Sequence, residues 1–274
     1  MRKFLLGSLV FAVLNASPAM SADVVVMPQR PVATGVFSWT SWYVGGFVGA
    51  AWTNNANTVD PCSISGIFVC WLSPFGGETV SYPLTPSAIG GATAGYNYHI
   101  PGSAIVFGLE TEFGALRLKG SSSFAPVSGI GFIGLASNLV ASTTVGNWYN
   151  ATTGRLGWAW DNVLLYGKGG FALSTIETTI VDTTGLLSGT GKKDIFGWAW
   201  GAGVEYVFAP RWSVKAEYLW LGLNHSIGVC AATTTPRVSF LGNTFCSITN
   251  AEPVQTFKVG VNYLLDVGPV YDRY

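Results

Sequence analysis

The feature that most constrains this chain is an alternation of residue types repeated in segments of about ten residues. In each of eight segments, one of the two alternating faces carries no charge. Successive side chains of a β-strand point to opposite sides, so each segment predicts a strand with one face suited to an apolar environment. The segments are Trp42–Trp52, Ala88–Tyr98, Ile105–Ala115, Trp148–Trp160, Val163–Leu173, Trp198–Phe208, Trp212–Leu221 and Gln255–Leu265. Each has about the 9–11 residues that a β-strand needs to cross a membrane.

The charges of these segments all lie on the opposite faces. Four acids and four bases occupy them: Glu110, Glu112, Arg155, Lys168, Glu205, Lys215, Glu217 and Lys258. A charge facing lipid costs about 2–4 kcal/mol at the middle of a bilayer, whereas charges turned into a narrow barrel can pair with one another. An eight-stranded barrel has an interior that side chains just fill. We therefore predict a neutral network of ion pairs inside the barrel, in which Thr153 stands where a basic residue is expected.

The bulk composition agrees with a protein that lipid surrounds. Charged residues make up only 10% of the 274 residues, and the mean hydropathy is +0.38. No mature segment has the roughly 20 consecutive apolar residues of a membrane-spanning helix. The net charge is zero and no basic block exists, which excludes an electrostatic nucleic-acid interface. A soluble β-sandwich, whose strands also alternate, is the alternative fold.

The connections between the segments alternate between short and long. Turns at His99–Ala104, Asp161–Asn162 and Ala209–Arg211 alternate with long loops at Thr53–Ser87, Leu116–Asn147, Ser174–Gly197 and Gly222–Val254. Short periplasmic turns and long outer loops are typical of bacterial outer-membrane barrels. The fold prediction is thus all-β, an eight-stranded antiparallel transmembrane β-barrel in up-and-down meander order, over residues 42–265.

Tryptophans concentrate at the ends of the predicted strands, which favours the membrane barrel over the sandwich. One group is predicted at the periplasmic ends and comprises Trp42, Trp158, Trp160 and Trp212. The other is predicted at the outer ends and comprises Trp52, Trp198, Trp200 and Trp220. Aromatic girdles of this kind mark the two interfaces of a bilayer.

The two termini carry further predictions. Arg2 and Lys3, followed by an apolar run over 4–14 and small residues near 18–22, predict a signal peptide over 1–22. The alternative, an uncleaved membrane anchor, conflicts with the shortness of the apolar run. Residues 23–41 are predicted as a periplasmic leader and 266–274 as a C-terminal tail.

Four cysteines lie in two of the predicted outer loops, where disulfides persist. Cys62 and Cys70 belong to the first long loop, and Cys230 and Cys246 to the fourth. We predict the pairs Cys62–Cys70 and Cys230–Cys246. Pairing between the two loops remains the alternative, because the first and eighth strands are neighbours in a closed barrel.

Short motifs in all eight segments resemble the small outer-membrane β-barrel proteins of Gram-negative bacteria, a family often labelled porin-family or opacity-like. The motifs that carry the resemblance are Trp42-Tyr43-Val44-Gly45-Gly46, Gly95-Tyr96-Asn97, Phe107-Gly108-Leu109-Glu110, Gly154-Arg155-Leu156-Gly157, Leu165-Tyr166-Gly167 to Gly169-Gly170, Gly201-Ala202-Gly203-Val204-Glu205-Tyr206, Lys215-Ala216-Glu217-Tyr218 and Val259-Gly260-Val261-Asn262-Tyr263. The resemblance implies a cell-surface protein that supports envelope integrity. Its expected partners are outer-membrane lipid, lipopolysaccharide and the barrel-assembly machinery. Many members end on a strand that finishes in Phe, whereas this chain continues to Tyr274.

Three functions follow as hypotheses in descending order. The first is a structural surface barrel without cofactor or metal, and the second is a low-conductance porin for small solutes. The third, an outer-membrane lipid hydrolase, would need a catalytic base, and the chain has only His99 and His225. His225 precedes Ser226 near the outer interface, but no third catalytic member stands out. We therefore predict that the protein is not an enzyme.

Overall fold

A computed structural model describes residues 37–53, 57–60, 80–124, 139–183, 187–223, 225–233 and 244–265. Thirteen β-strands occupy these ranges: β1 (Ser41–Trp52), β2 (Asn57–Asp60), β3 (Val80–Tyr82), β4 (Ser87–His99), β5 (Ile105–Ala115), β6 (Arg117–Phe124), β7 (Leu139–Trp160), β8 (Val163–Asp182), β9 (Leu187–Ala209), β10 (Trp212–Gly222), β11 (His225–Thr233), β12 (Thr244–Ala251) and β13 (Val254–Leu264). No helix in the described ranges is long and apolar enough to cross a membrane.

Eight of the strands close into an antiparallel barrel. In the order β1, β4, β5, β7, β8, β9, β10 and β13, each strand pairs with the next. Pairing of β13 with β1, from Tyr43 opposite Leu264 to Trp52 opposite Gln255, closes the ring. The predicted eight-stranded meander barrel is therefore confirmed, with β5 at the predicted bounds and β1, β4, β10 and β13 within one residue of them.

The predicted apolar faces point away from the barrel axis. Along β1, Trp42, Val44 and Val48 are exposed, whereas Tyr43 and Phe47, on the other parity, are buried. The same alternation holds along β5 and β13. An outer wall of exposed Val, Leu, Phe and Trp is favourable only against lipid, because apolar surface of this extent is not stable in water.

The four long connections are more structured than predicted. Strands β2, β3, β6, β11 and β12 lie in segments predicted as loops, and β7, β8 and β9 reach 22, 20 and 23 residues. We call the assembly of these five strands with residues 139–146, 175–182 and 187–195 the loop-end sheet. From β9 the pairing continues through β11, β12, β2 and β3, while β6 pairs with β7. Thr85 donates to the carbonyl of Lys119 at 2.8 Å, which joins the segment after β3 to β6.

The loop-end sheet escaped prediction because its two faces exchange character. Inside the loop-end sheet, Leu118, Val145, Ile176 and Ile180 are buried on the face that carries charges lower in the barrel. Its outward positions are mostly Ser, Thr and Lys. The sequence prediction followed apolar residues on the outward face, and these residues end at the level where the two faces exchange character.

An irregularity in β7 marks the level of that exchange. Gly146 and Asn147 have φ angles of 98° and 125°, and the register with β8 shifts between Val145 and Tyr149. The backbone amide of Asn147 donates, at 2.6 Å, to the carbonyl of Leu116, which is the residue between β5 and β6. A Cβ atom at residue 146 would overlap that carbonyl, so both the φ angle and the close approach require glycine.

Candidate functional site

The eight predicted charges all lie inside the barrel. None is more than 5% exposed, so almost no part of them is reached by water. They come from β5, β7, β8, β9, β10 and β13, and their inward direction follows from the alternation of side chains along each strand. Eight ion pairs connect them into one network in which four carboxylates balance four cations.

Glu110 is the acidic centre of the network. Its carboxylate lies 2.9 Å from Lys168 Nζ, 2.7 Å from Lys215 Nζ and 3.5 Å from Arg155 Nη1. β5 and β10 stand on opposite sides of the ring, so the Glu110–Lys215 pair spans the lumen directly. The hydroxyl of Tyr43 also donates to Glu110, at 2.8 Å. Glu110 therefore connects its own strand, β5, to four other strands of the wall through one carboxylate.

Lys168 is the basic centre nearer the loop-end sheet. Its Nζ lies 2.9 Å from Glu110, 2.8 Å from Glu217 and 3.5 Å from Glu112. Lys258 completes this part, with Nζ at 2.6 Å from Glu112 and 2.8 Å from Glu217. The carboxylates of Glu110, Glu112 and Glu217 are close enough together to suggest a cation site. The ammonium group of Lys168 already contacts all three and supplies that positive charge.

Arg155 and Glu205 form the part nearer the short turns. Arg155 Nη2 donates to Glu205 at 2.8 Å, and its Nη1 donates to the Tyr43 hydroxyl at 2.6 Å. The guanidinium also stacks over the ring of Tyr166, 3.9 Å from its centroid. Such a stack on an aromatic face is typical of a desolvated arginine. Thr153, opposite Glu110 in the register, is buried, and Lys168 and Lys215 supply the positive charge that was expected there.

Neutral residues complete the network, and the sequence analysis missed them. Ser213 Oγ and Asn262 Nδ2 donate to Glu205 at 2.5 and 2.8 Å, and Tyr166 donates to Glu217 at 3.0 Å. The sequence does indicate these residues, because each of them lies at an inward-facing position of its strand. The prediction considered only charged residues at the inward-facing positions, although buried carboxylates need further hydrogen-bond donors to remain stable.

Apolar layers enclose the charges on both sides. On the loop-end side, Phe47, Tyr149 and Leu219 are fully or almost fully buried. On the short-turn side, Trp39 and Leu164 belong to a second buried cluster. Within the described barrel, these two layers keep the charged layer almost entirely out of contact with water.

Trp39 shows that the packed structure begins before β1, inside the predicted leader. Its indole nitrogen donates to the carbonyl of Asp161 at 3.1 Å, across the short-turn end. His99 lies beside it, within 3.5 Å of the Trp39 amide and 2.9 Å of the Ser103 carbonyl. His99 thus serves to hold residues 37–40 against the turn. Residues 1–36 and 266–274, with the predicted signal peptide and tail, lie outside the described residues.

The tryptophans predicted as girdles lie on the outer wall. Trp42 packs on Tyr96 at a centroid distance of 4.9 Å, and Trp212 packs on Tyr263 at 5.0 Å, both near the short-turn end. Near the loop-end sheet, Trp200 packs on Trp220 at 5.4 Å. The other four of the eight, which are also exposed or half-buried, are Trp52, Trp158, Trp160 and Trp198. Trp148, stacked on Phe113, joins the second girdle and was not predicted.

The remaining predicted residues lie in the loop-end region. The register places Cys230 of β11 directly opposite Cys246 of β12, whereas Cys62 and Cys70 lie outside the described residues. Ser226, considered as a nucleophile, donates instead to the amide oxygen of Asn250 at 2.7 Å. That bond engages its proton with a group that cannot act as a general base.

A closed eight-stranded barrel with an apolar outer wall and a charge-filled interior defines a small membrane β-barrel protein. Comparison with known proteins agrees. The family model for the outer membrane protein β-barrel domain matches residues 9–263, and the chain belongs to that family. It is an outer-membrane protein.

Two curated relatives and one solved structure illustrate the similarity. The chain is 31% identical over 277 residues to the 31 kDa outer-membrane immunogenic proteins of Brucella melitensis and Brucella suis, covering 96% of this chain and 99% of theirs. The outer membrane protease OmpT of Escherichia coli superposes with a TM-score of 0.50 at 9% identity, covering 84% of this chain and 98% of OmpT. At that identity the likeness to OmpT concerns the fold alone.

Proposed function

We propose that this protein is a structural surface barrel whose sealed interior stabilises the wall and whose loop-end sheet faces the outside of the cell. The observation that carries the proposal is the neutral, buried network of eight charges. Ion pairs such as Glu110–Lys215 tie opposite walls of the barrel together, and the apolar layers above and below keep water from them. A lumen braced in this way resists deformation and leaves no room for solute.

The orientation belongs to the same proposal. Three short turns lie at one end, and the loop-end sheet, which holds the described parts of the four long connections, lies at the other. In outer-membrane barrels the short turns face the periplasm and the long loops face outwards. The loop-end sheet would then stand outside the membrane, where it meets other surfaces. Outer-membrane lipid, lipopolysaccharide and the barrel-assembly machinery remain the partners we expect for such a protein.

The low-conductance porin is the principal rival. A pore requires a continuous path, and water-filled channels are typical of barrels of 16–18 strands. Here the inward side chains are buried along the length of the described lumen. Passage of ions would require the network to open, at the cost of leaving buried charges without partners.

The non-enzymatic prediction likewise stays part of the proposal. The curated relatives are named as immunogenic outer-membrane proteins, and OmpT is named as a protease but resembles this chain in fold alone. Release of fatty acid from lipopolysaccharide by the pure protein, lost in Ser226→Ala, would contradict the proposal.

Single-channel recording of the refolded protein in planar bilayers tests the sealed lumen. We expect no steady conductance from the wild type. The double variant Arg155→Ala/Lys215→Ala shortens two lumen side chains and should admit ions, whereas Lys193→Ala, at an exposed position of the loop-end sheet, should stay silent. Folding is verified for each protein by its heat-dependent mobility on gels. Steady openings of the wild type that disappear in Glu112→Leu or Lys215→Leu would favour the porin.

A further inference from the structure

A cavity of about 320 Å³ lies at the short-turn end of the barrel. Three segments meet around it, namely the start of the described chain, the turn between β4 and β5, and the turn between β7 and β8. The side chains from which we argue are Phe37, His99, Ser103, Trp158, Trp160 and Asp161. Small-molecule sites in proteins occupy about 300–1,000 Å³, so this cavity has the size of a site for a small ligand.

Hydrogen bonds and ring packing hold the three segments together. The amide of Ala159 donates to the carbonyl of Ala104 at 2.7 Å, which joins the two turns. The indole of Trp39 donates to the carbonyl of Asp161 at 3.1 Å. The ring of Phe37 packs edge-on against Trp39 at a centroid distance of 5.4 Å. The wall of the cavity is therefore largely preformed, which lowers the entropic cost of binding a ligand there.

The polar side chains of the wall are already engaged, except for one carboxylate. The ring of His99 bonds through both nitrogens, to the Ser103 carbonyl at 2.9 Å and to a backbone amide at 3.5 Å. The Ser103 hydroxyl donates to a carbonyl at 3.2 Å and accepts from an amide at 3.1 Å. Among the described residues, no ion pair engages the carboxylate of Asp161. Arg211, in the turn between β9 and β10, donates instead to the Tyr263 hydroxyl at 3.4 Å.

Aromatic rings supply much of the remaining wall. The rings of Trp158 and Trp160 lie 6.3 Å apart between centroids and are tilted by 53° to each other, and Phe37 adds a third ring. The face of an aromatic ring is electrostatically negative and attracts cations, most strongly in tryptophan. Three rings and one unpaired carboxylate are therefore complementary to a positive charge.

The same groups disfavour other classes of ligand. A phosphate or a sugar would need hydrogen-bond donors, and the donors of His99 and Ser103 are engaged. A hard metal ion would need about six oxygen ligands, whereas the wall offers one carboxylate. An alkylammonium ion needs neither, because its methyl groups carry the charge and pack on aromatic faces.

We propose that Phe37, Trp158, Trp160 and Asp161 form a binding site for a small, soluble alkylammonium cation. The carboxylate balances the charge of the ligand, and the rings cover its alkyl groups. A free cation fits better than a zwitterionic lipid headgroup, because the phosphate of such a headgroup would approach the carboxylate of Asp161. The site is separate from the buried network and does not depend on which end of the barrel faces the periplasm.

An NMR titration of the full chain in maltoside micelles tests this inference, with choline as the probe. The indole N–H signals of Trp158 and Trp160 should shift and saturate. The signal of Trp212, an exposed tryptophan at the same end but outside the cavity wall, should not move. The neutral isostere 3,3-dimethyl-1-butanol should bind about fivefold more weakly than choline, because it has the same shape without the charge. Dihexanoylphosphatidylcholine, the lipid probe, should also bind more weakly than choline.

Two variants and a matched control complete the test. Asp161→Asn removes the charge and keeps the turn, because asparagine also accepts the left-handed φ angle of 47° at this position. Its affinity for choline should fall about threefold, and that of Asp161→Asn/Trp158→Leu about tenfold. Trp212→Leu, the control for loss of an exposed tryptophan, should bind like the wild type. Unchanged affinity in Asp161→Asn, or binding of the isostere or the lipid as tight as that of choline, would overturn the inference and leave the sealed lumen to its own conductance test.

Discussion

Neutralising Glu110 tests whether the buried charges act as one network. Glu110→Gln keeps the shape of the side chain but removes the charge that Arg155, Lys168 and Lys215 share. The interior would then hold four cations and three carboxylates. Lys215→Met makes the opposite change, because its ammonium group forms an ion pair with Glu110 alone among the described residues.

The magnitude follows from the distance and the burial. Charges 2.7 Å apart, as Lys215 Nζ and Glu110 Oε2 are, attract each other by about 6 kcal/mol at an effective dielectric constant of about 20. Part of that attraction compensates for the loss of hydration, and removal of one partner from a buried pair costs about 3–5 kcal/mol. We therefore expect each single variant to lose about 3–5 kcal/mol of unfolding free energy. The double variant restores neutrality and should lose clearly less than the sum.

Reversible urea unfolding from phospholipid vesicles, followed by tryptophan fluorescence, measures these free energies. Lys193→Met, at an exposed lysine, should remain within about 0.5 kcal/mol of the wild type. Independent sites add within about 0.3–0.5 kcal/mol. Additivity of Glu110→Gln and Lys215→Met within that margin would refute the buried Glu110–Lys215 ion pair, and with it the connection across the lumen on which the network depends.

Three further outcomes follow from other parts of the barrel. Gly146→Ala should lose about 2–3 kcal/mol in the same assay because residue 146 has a φ angle of 98°, whereas Gly154→Ala, whose Cβ would meet only the carbonyl oxygen of Gly169 at an ordinary 3.8 Å, should be neutral. Burial raises the pKa of the Tyr82 hydroxyl, so the hydroxyl loses its proton at lower pH in the unfolded state than in the folded state. The loop-end sheet should therefore lose stability as the pH rises above about 10, and near-ultraviolet circular dichroism should show a smaller loss in Tyr82→Phe. Tryptic mapping without reductant should recover Cys230 joined to Cys246, since opposed strand residues have Cα atoms about 4.5–5.5 Å apart and a disulfide accepts about 4.4–6.8 Å; a peptide joining either cysteine to the first loop would contradict this.

The membrane part of the fold was predictable from sequence because lipid imposes a strict rule on each strand. A charge on both faces would have excluded a segment as a membrane strand. In β5 and β13, charges such as Glu110 and Lys258 mark one face as inward, and the uncharged face is left for lipid. Strand pairing then follows from chain order, since short turns join antiparallel neighbours. The bounds of β1, β4, β5, β10 and β13 were accordingly within one residue of those observed.

The partners within the lumen could not be predicted in the same way. Parity shows that Glu110 and Lys215 both point inwards, but not that they meet, because that depends on the height of each strand. Glu205 and Lys215 are opposed in the register of β9 and β10, yet Glu205 pairs with Arg155 instead. Height is fixed by turn lengths and by strand tilt together, and a difference of two residues shifts a side chain by about 6.6 Å along the axis of its strand.

The exchange of faces at Gly146 fixes the height of the whole molecule in the membrane. Below it the outer wall is apolar, as at Phe196, and above it the wall carries exposed Lys119 and Lys192. Sinking the barrel by a few residues would push those lysines towards lipid, at a cost that rises to about 2–4 kcal/mol each near the middle of the bilayer. Raising it would expose the aromatic girdle to water. The outer wall thus faces lipid below this level and water above it. Where its outer face is apolar its inner face is polar, and above Gly146 this arrangement is reversed, because at each level only one of the two faces is apolar.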